Sequence, residues 1–435
     1  MNLGFYIILA AQFFSALADN ALLFAAIALL QEFNSPSWHT PILQQGFVAS
    51  YILLAPFVGS FADSLPKGRV MFLSNSIKLA GCLAMLVGLH PLLAYGLVGL
   101  GAAAYSPAKY GILVEYLPPS KLVAANGWME GLTVAAIILG AVVGGILLKP
   151  ALAMTMLNWW DVPLIDTGID TPPRLAITII VGLYVIAALF NLRIPHLPID
   201  HKPMSASPMF QLKEFMRCFH LLWKDPLGQV SLAVTTLFWG AGATLRLLVL
   251  VWAAVSLDFD RSEAAILTAA VAVGIAIGAV YAARTVKLEH SVKVLPVGIL
   301  MGVLVIIMIP LNNQLISGQI TLDIAALGIM EHISTASLLA FALLVVIGAM
   351  GGYFVVPMNA LLQHRGHLLM GAGSSIAVQN FNENLSIFAM LALYALMEKM
   401  ELGLNFILLV FGLLLAGSMT ALYRRHGHDQ DQGQT

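Results

Sequence analysis

Twelve apolar runs, most of them twenty residues or longer, are separated by shorter polar stretches along this 435-residue chain. They lie near 4–30, 42–63, 70–90, 92–115, 121–148, 174–194, 228–256, 263–284, 292–311, 335–362, 370–397 and 402–423. About 20 mostly apolar residues in a helix cross the hydrocarbon of a bilayer. There, every backbone N–H and C=O needs a partner within the chain, which only helices and closed barrels supply. Barrel strands alternate apolar and polar over about 10 residues, whereas these runs are continuous. The expected fold class is an all-α membrane protein with twelve transmembrane helices in two six-helix halves.

Composition agrees. Charged residues make up 10% of the chain, against about 25% in soluble proteins. A soluble enzyme, a disordered protein and a nucleic-acid binder are excluded, and the net charge of −1 supplies no field for nucleic acid. The N-terminus opens straight into an apolar run without a basic region or small-residue cleavage site, and reads as a first membrane helix. Fourteen of the 21 Lys and Arg fall on the side that holds both termini, and four on the other. That bias places both termini in the cytoplasm.

The longest polar interruption on the inner side separates the sixth and seventh runs. It divides the chain into an N-terminal half (1–195), a cytoplasmic linker (196–227), a C-terminal half (228–424) and a tail (425–435) expected to be disordered. In the linker, Leu212, Phe215, Met216, Phe219, Leu222 and Trp223 recur at helical spacing, with Lys213, Glu214, Arg217 and Lys224 elsewhere. This predicts an amphipathic helix, either on the inner membrane surface or packed under the bundle. On the outer side, 150–172 carries Trp159 and Trp160 as interfacial anchors, and 312–334 is expected to hold a short helix. The halves echo one another. Pro107-Ala108-Lys109 matches Pro357-Met358-Asn359, and Asn126…Glu130 matches Gln379…Glu383. Paired six-helix repeats are a transporter design with the site near the midplane.

Six charges fall inside runs: Asp19, Lys78, Lys109, Glu130, Arg246 and Glu383. Each costs about 2.5–3.5 kcal/mol at a helix centre, so each must pair or line a wet cavity. Lys78 is short of mid-span and is read as structural, snorkelling inward. Glu130 and Lys109, in adjacent spans, either pair or serve a substrate. Asp19, Arg246 and Glu383 are too deep to snorkel. Asn20 follows Asp19, and Gln379, Asn382 and Glu383 share a helix face. These amides either hydrate a cavity or hydrogen-bond between helices.

Nothing points to a metal or cofactor. The eleven histidines lie in loops, span ends or tails, and Cys82 and Cys218 are too far apart in the layout to pair. There is no phosphate-binding G-x-x-x-x-G-K-[ST] run of an ATP-driven pump.

GSFADSLPKGR at 59–69 resembles the loop signature of the major facilitator superfamily, G-x-x-x-D followed by basic residues. The resemblance implies a cytoplasmic latch built from Gly59, Asp63, Lys67 and Arg69, with Pro66 displacing the basic pair. Further blocks extend the likeness: AQFFSALADNALLF (11–24), YILLAPFVGSFADS (51–64), GAAAYSPAKYGIL (101–113), LFWGAGATLRLL (237–248), GGYFVVPMNALLQ (351–363) and GAGSSIAVQNFNEN (371–384). Together they resemble the bacterial lysophospholipid transporter family of that superfamily.

The resemblance implies a monomeric facilitator of the bacterial inner membrane that moves lysophosphatidylethanolamine and related lysolipids from outer to inner leaflet. There an acyltransferase/acyl-carrier-protein synthetase restores the missing chain. Asp19, Asn20, Lys109, Arg246, Gln379, Asn382 and Glu383 are the expected substrate residues. Lys78 and Glu130 join the latch residues as structural or gating. A phosphate suits Arg246 or Lys109; an ammonium suits Asp19 or Glu383. The rivals are a facilitator for an amphipathic drug or small solute, and a lipid-modifying membrane enzyme.

Overall fold

The computed structural model describes residues 3–36, 39–160, 168–198, 203–205, 207–259, 261–316, 318–324 and 329–432. In order they form α1 (Leu3–Glu32), α2 (His39–Ser64), α3 (Lys67–Leu86), α4 (Pro91–Tyr116), α5 (Leu122–Leu147), α6 (Pro150–Trp160), α7 (Pro172–Leu192), α8 (Pro208–Lys224), α9 (Pro226–Leu257), α10 (Arg261–Thr285) and α11 (Leu295–Ile307). Strands β1 (Gln319–Ile324) and β2 (Ile329–Ser334) follow, then α12 (Thr335–Leu369), α13 (Ala372–Lys399) and α14 (Leu404–Gln432).

The twelve apolar runs are α1–α5, α7 and α9–α14, with a short 3₁₀ turn, Leu288–Val294, leading into α11. Ten of these are long and apolar enough to span a bilayer on their own hydropathy. The other two, α4 and α13, are more polar. Their polar stretches are hidden by protein: residues 101–109 of α4 and 375–380 of α13 are buried without a break. A helix surrounded by other helices escapes the solvation cost that lipid imposes on polar groups.

The chain forms two compact units. The first comprises Met1–Leu122, Leu132–Asp225 and Leu362–Asn384. Its core gathers Ala18, Leu22, Ala25 and Leu29 of α1 with Met85, Tyr95, Val98 and Tyr184. Small residues bring its helices together: a side chain at Gly140 of α5 would meet the Leu17 carbonyl of α1 at 2.9 Å. The second unit comprises Val123–Gly131, Pro226–Leu361 and Leu385–Thr435. In it, Gly274 and Gly278 of α10 cross Gly348 and Gly352 of α12 so closely that a Cβ at any of the four would strike the opposite backbone. Such crossings trade side-chain bulk for backbone contact, which is how helices associate in lipid.

The outer stretch 312–334 departs from expectation. It holds an antiparallel hairpin, Gln319 opposite Ser334 through Ile324 opposite Ile329, where a short helix was predicted. Ile320, Leu322 and Ile324 alternate with Thr321 and Asp323, a period of two that suits a strand. The described backbone also carries α14 to Gln432, into the tail expected to be disordered. No proline interrupts it there, and extending a formed helix costs little. α6 occupies the start of 150–172, and the side chains of Trp159 and Trp160 lie outside the described set.

The α10–α12 crossing yields a test. Gly278→Val should destabilise the detergent-solubilised protein by about 1–3 kcal/mol, the usual cost of overpacking. Gly242→Ala, where nothing lies within 4 Å of the added Cβ, should leave thermal unfolding nearly unchanged. Equal unfolding midpoints for the two variants would refute the close crossing.

Candidate substrate site

Asp19 sits on α1 where α3 and α7 converge. Its Oδ2 meets the Lys78 ammonium at 2.8 Å, and its Oδ1 accepts the Tyr184 hydroxyl at 2.6 Å. Lys78 also donates to Ser15 Oγ at 3.0 Å, and Ser15 in turn donates to Asn75 Oδ1 at 2.9 Å. The ammonium lies 4.7 Å from the centre of the Tyr105 ring and 5.7 Å from that of Tyr184. Lys78 is thus enclosed, with a side chain 1% exposed, while that of Asp19 is 21% exposed. The expected inward snorkelling of Lys78 does not occur. A carboxylate and two ring faces compensate the ammonium where it stands, so it has no need to reach water.

The polar face of α13 forms as the spacing predicted. Gln379 Nε2 donates to Glu383 Oε1 at 2.7 Å, both buried. Asn382 turns back to the Val378 carbonyl at 2.8 Å. Asn380 reaches α4, donating to Ser106 Oγ at 2.9 Å. One turn along α4, Lys109 stacks over the Tyr110 ring at 4.2 Å and is buried. Asn20 is half-buried and donates to the Ala16 carbonyl of its own helix at 2.8 Å. The first unit therefore brings Asp19 and Lys78 into one network, leaves Asn20 bonded to its own helix, and holds Lys109, Gln379, Asn382 and Glu383 on α4 and α13.

The second unit carries Glu130 and Arg246. Glu130 is buried and accepts from the Asn359 amide at 3.4 Å. Arg246 of α9 is exposed, and among the described residues no carboxylate lies within 4 Å of it.

At the end of α2, Asp63 caps α13. Oδ1 accepts the Gly373 N–H at 2.7 Å, and Oδ2 accepts the Ser374 N–H and hydroxyl, each at 2.9 Å. The first N–H groups of a helix lack internal partners and carry the positive end of its dipole, so a carboxylate is favoured there. Lys67, the first residue of α3, closes the arrangement by bridging Asp63 at 2.9 Å and Glu115 at 3.1 Å. The approach needs Gly59, where a Cβ would stand 2.9 Å from Ser374 Cα. It also needs Gly371, whose φ of +117° turns the chain from α12 into α13. Arg69 stays exposed, outside this cluster. Tyr184 and Tyr105 are not distinguished by the sequence, because an uncharged tyrosine does not interrupt an apolar run. Nor is Glu115, which lies at the very end of its run.

Twelve membrane helices with an acidic cap after the second define a class of transporter. The family model of the Major Facilitator Superfamily matches residues 8–390. Solved structures agree in fold: FucP in its outward conformation superposes with a TM-score of 0.69 at 12% identity, over 98% of each chain. A bacterial homologue of ferroportin gives 0.68 at 16% identity, over 98% of this chain and 100% of the other. Two curated relatives are named lysophospholipid transporter LplT. That of Serratia proteamaculans is 46% identical over 90% of this chain and 88% of its own length. That of Yersinia pestis is 45% identical over 90% and 86%. The chain belongs to the Major Facilitator Superfamily and, within it, to the lysophospholipid transporter family. The relatives are named as transporters and the fold is a transporter's, which sets aside the lipid-modifying enzyme.

The Asp19–Lys78 pair can be tested by a double-mutant cycle. Lys78→Met leaves a carboxylate without its counter-charge and should cost thermal stability. The loss should fall below the about 3–5 kcal/mol typical of a fully buried pair, because Asp19 keeps some exposure. Adding Asp19→Asn should restore most of that loss. A double mutant as unstable as the sum of the single changes would contradict the pairing.

Proposed function

We propose that this protein moves lysophospholipids, lysophosphatidylethanolamine among them, from the outer to the inner leaflet of a bacterial inner membrane. It does so as a monomer, by alternating access of its two six-helix halves, with both termini in the cytoplasm. The lysolipid delivered to the inner leaflet is then the substrate of an acyltransferase/acyl-carrier-protein synthetase.

The observation that carries this reading is Arg246. A guanidinium inside an apolar span is expensive. Within its own unit it is exposed and meets no carboxylate within 4 Å among the described residues. A phosphodiester offers what such a group lacks: two non-bridging oxygens that share one negative charge and that a guanidinium binds bidentately. The names of the relatives point to the same substrate class. The ethanolamine ammonium has a counterpart in Asp19, whose carboxylate keeps an open side despite Lys78 and Tyr184. A lysolipid's single acyl chain stays in apolar surroundings as the head group crosses.

Leaflet-resolved uptake of labelled lysophosphatidylethanolamine, in cells lacking any other such activity, tests the assignment. Arg246→Lys keeps the charge and loses the second parallel hydrogen bond. It should slow uptake about tenfold, the worth of roughly 1.4 kcal/mol for one charge-assisted bond. Arg246→Ala should nearly abolish uptake with the protein still folded in the membrane. Recovery on adding Glu383→Gln or Asp19→Asn to Arg246→Ala would make Arg246 a counter-charge and remove it from phosphate binding.

A further inference from the structure

α8 presents more apolar side chain than the protein covers. Its buried stripe is Gln211, Phe215, Cys218 and Leu222, at spacings of four, seven and eleven residues. That stripe sits on α2 and α13. Phe215 and Phe219 meet the Phe381 ring edge-on with centroids 5.5 and 6.3 Å apart, and Ser60 of α2 donates to Gln211 at 3.5 Å. About 20 Å³ of space remains between α8 and the small residues Gly59, Ser60, Ser374 and Ala377. At its C-terminal end, Arg365 of α12 donates from both Nε and Nη2 to the Asp225 carboxylate. α8 is therefore held firmly on one side.

Two other faces are unaccounted for. Met209, Leu212 and Met216, at i, i+3 and i+7, are 61, 42 and 43% exposed. Leu212 and Met216 belong to the apolar face that the periodicity predicted, Met209 lies one turn before them, and the protein buries only part of that face. Next to them Lys213, Arg217, His220 and Lys224, at i, i+4, i+7 and i+11, form an exposed basic ridge opposite the buried stripe. Glu214 is the only acid in the helix and is engaged by Arg217. Among the described residues, Lys213 and Lys224 have no carboxylate within 4 Å.

An apolar stripe flanked by unneutralised lysines matches a bilayer surface that is apolar below and anionic above. We propose that α8 binds the anionic phospholipid surface of the inner leaflet. Met209, Leu212 and Met216 enter the boundary between headgroups and acyl chains, and Lys213 and Lys224 hold the phosphate-bearing headgroups. The inference rests on the proposed orientation, which puts 196–227 on the cytoplasmic side. Because α8 also covers the groove between α2 and α13, anionic lipid then acts on how firmly that groove is closed.

Full-length protein carrying Cys82→Ser and Cys218→Ser, with a nitroxide attached through Met216→Cys, is reconstituted into two kinds of vesicle. One contains phosphatidylethanolamine and phosphatidylcholine only; the other contains added phosphatidylglycerol. Collisions of the label with oxygen and with a water-soluble nickel chelate report its depth. The expected result is a label open to oxygen and shielded from nickel, with shielding several-fold stronger in the phosphatidylglycerol vesicles. High salt, or Lys213→Gln with Lys224→Gln, should remove that difference, since both weaken attraction to anionic headgroups. Shielding that is the same in both vesicles overturns the anionic-lipid assignment. A label freely open to nickel in vesicles of this protein alone means that the stripe awaits a soluble partner, and overturns the proposal entirely. The readout involves no lysolipid, so failure of the transport reading leaves it standing, and the converse holds as well.

Discussion

A charge placed in hydrocarbon has to be answered by another group, and the first unit is organised around that requirement at Asp19 and Lys78. The ammonium is sealed by the carboxylate, Ser15 and the faces of two tyrosine rings. The carboxylate has both oxygens occupied and still keeps an open side. Three helices meet where Tyr184 joins this pair, and Tyr184 belongs to the apolar core of the unit. In the proposed reading, stability and head-group recognition are therefore joined in one cluster. In the proposed transport cycle, an arriving ammonium competes with Lys78 for a carboxylate that the fold has already oriented.

The same requirement explains the other end of α2. Asp63 lies between the backbone N–H groups opening α13 and the buried ammonium of Lys67, which Glu115 also engages. A carboxylate, a helix dipole and a cation answer one another at distances under about 3 Å, where screening by solvent is weak. Residues 362–384 consequently pack in the first unit, with α2 and α4. Small residues make the approach possible, as they do for α10 and α12 in the second unit.

Much of this was legible in the sequence, because lipid leaves few options. Run length identified the twelve spans, and insertion cost singled out Asp19, Lys78, Lys109, Glu130, Arg246 and Glu383. The i, i+4 spacing of Gln379 and Glu383 became an observed hydrogen bond. What stayed illegible depends on tertiary partners. Lys78 looked able to snorkel because nothing in its own helix announces Asp19 or Tyr184. Asp63 could be recognised by its loop signature, yet its partners Gly373 and Ser374 lie some three hundred residues away. The 319–334 hairpin was missed through reading an outer loop for helical content, although its alternation of isoleucine and leucine with polar residues was present. The periodicity of α8 announces an amphipathic helix, but which part of its apolar face the protein covers depends on α2 and α13 and is not contained in it.

The most direct measurement is made on purified protein in proteoliposomes. Fluorescent lysophosphatidylethanolamine is added outside, and the fraction that albumin can no longer extract is followed with time. The account predicts protein-dependent loss of extractable lysolipid, sharply reduced by Arg246→Ala, with no comparable movement of the two-chain phosphatidylethanolamine. Extraction curves that match protein-free vesicles, or equal movement of one- and two-chain lipids, would contradict it.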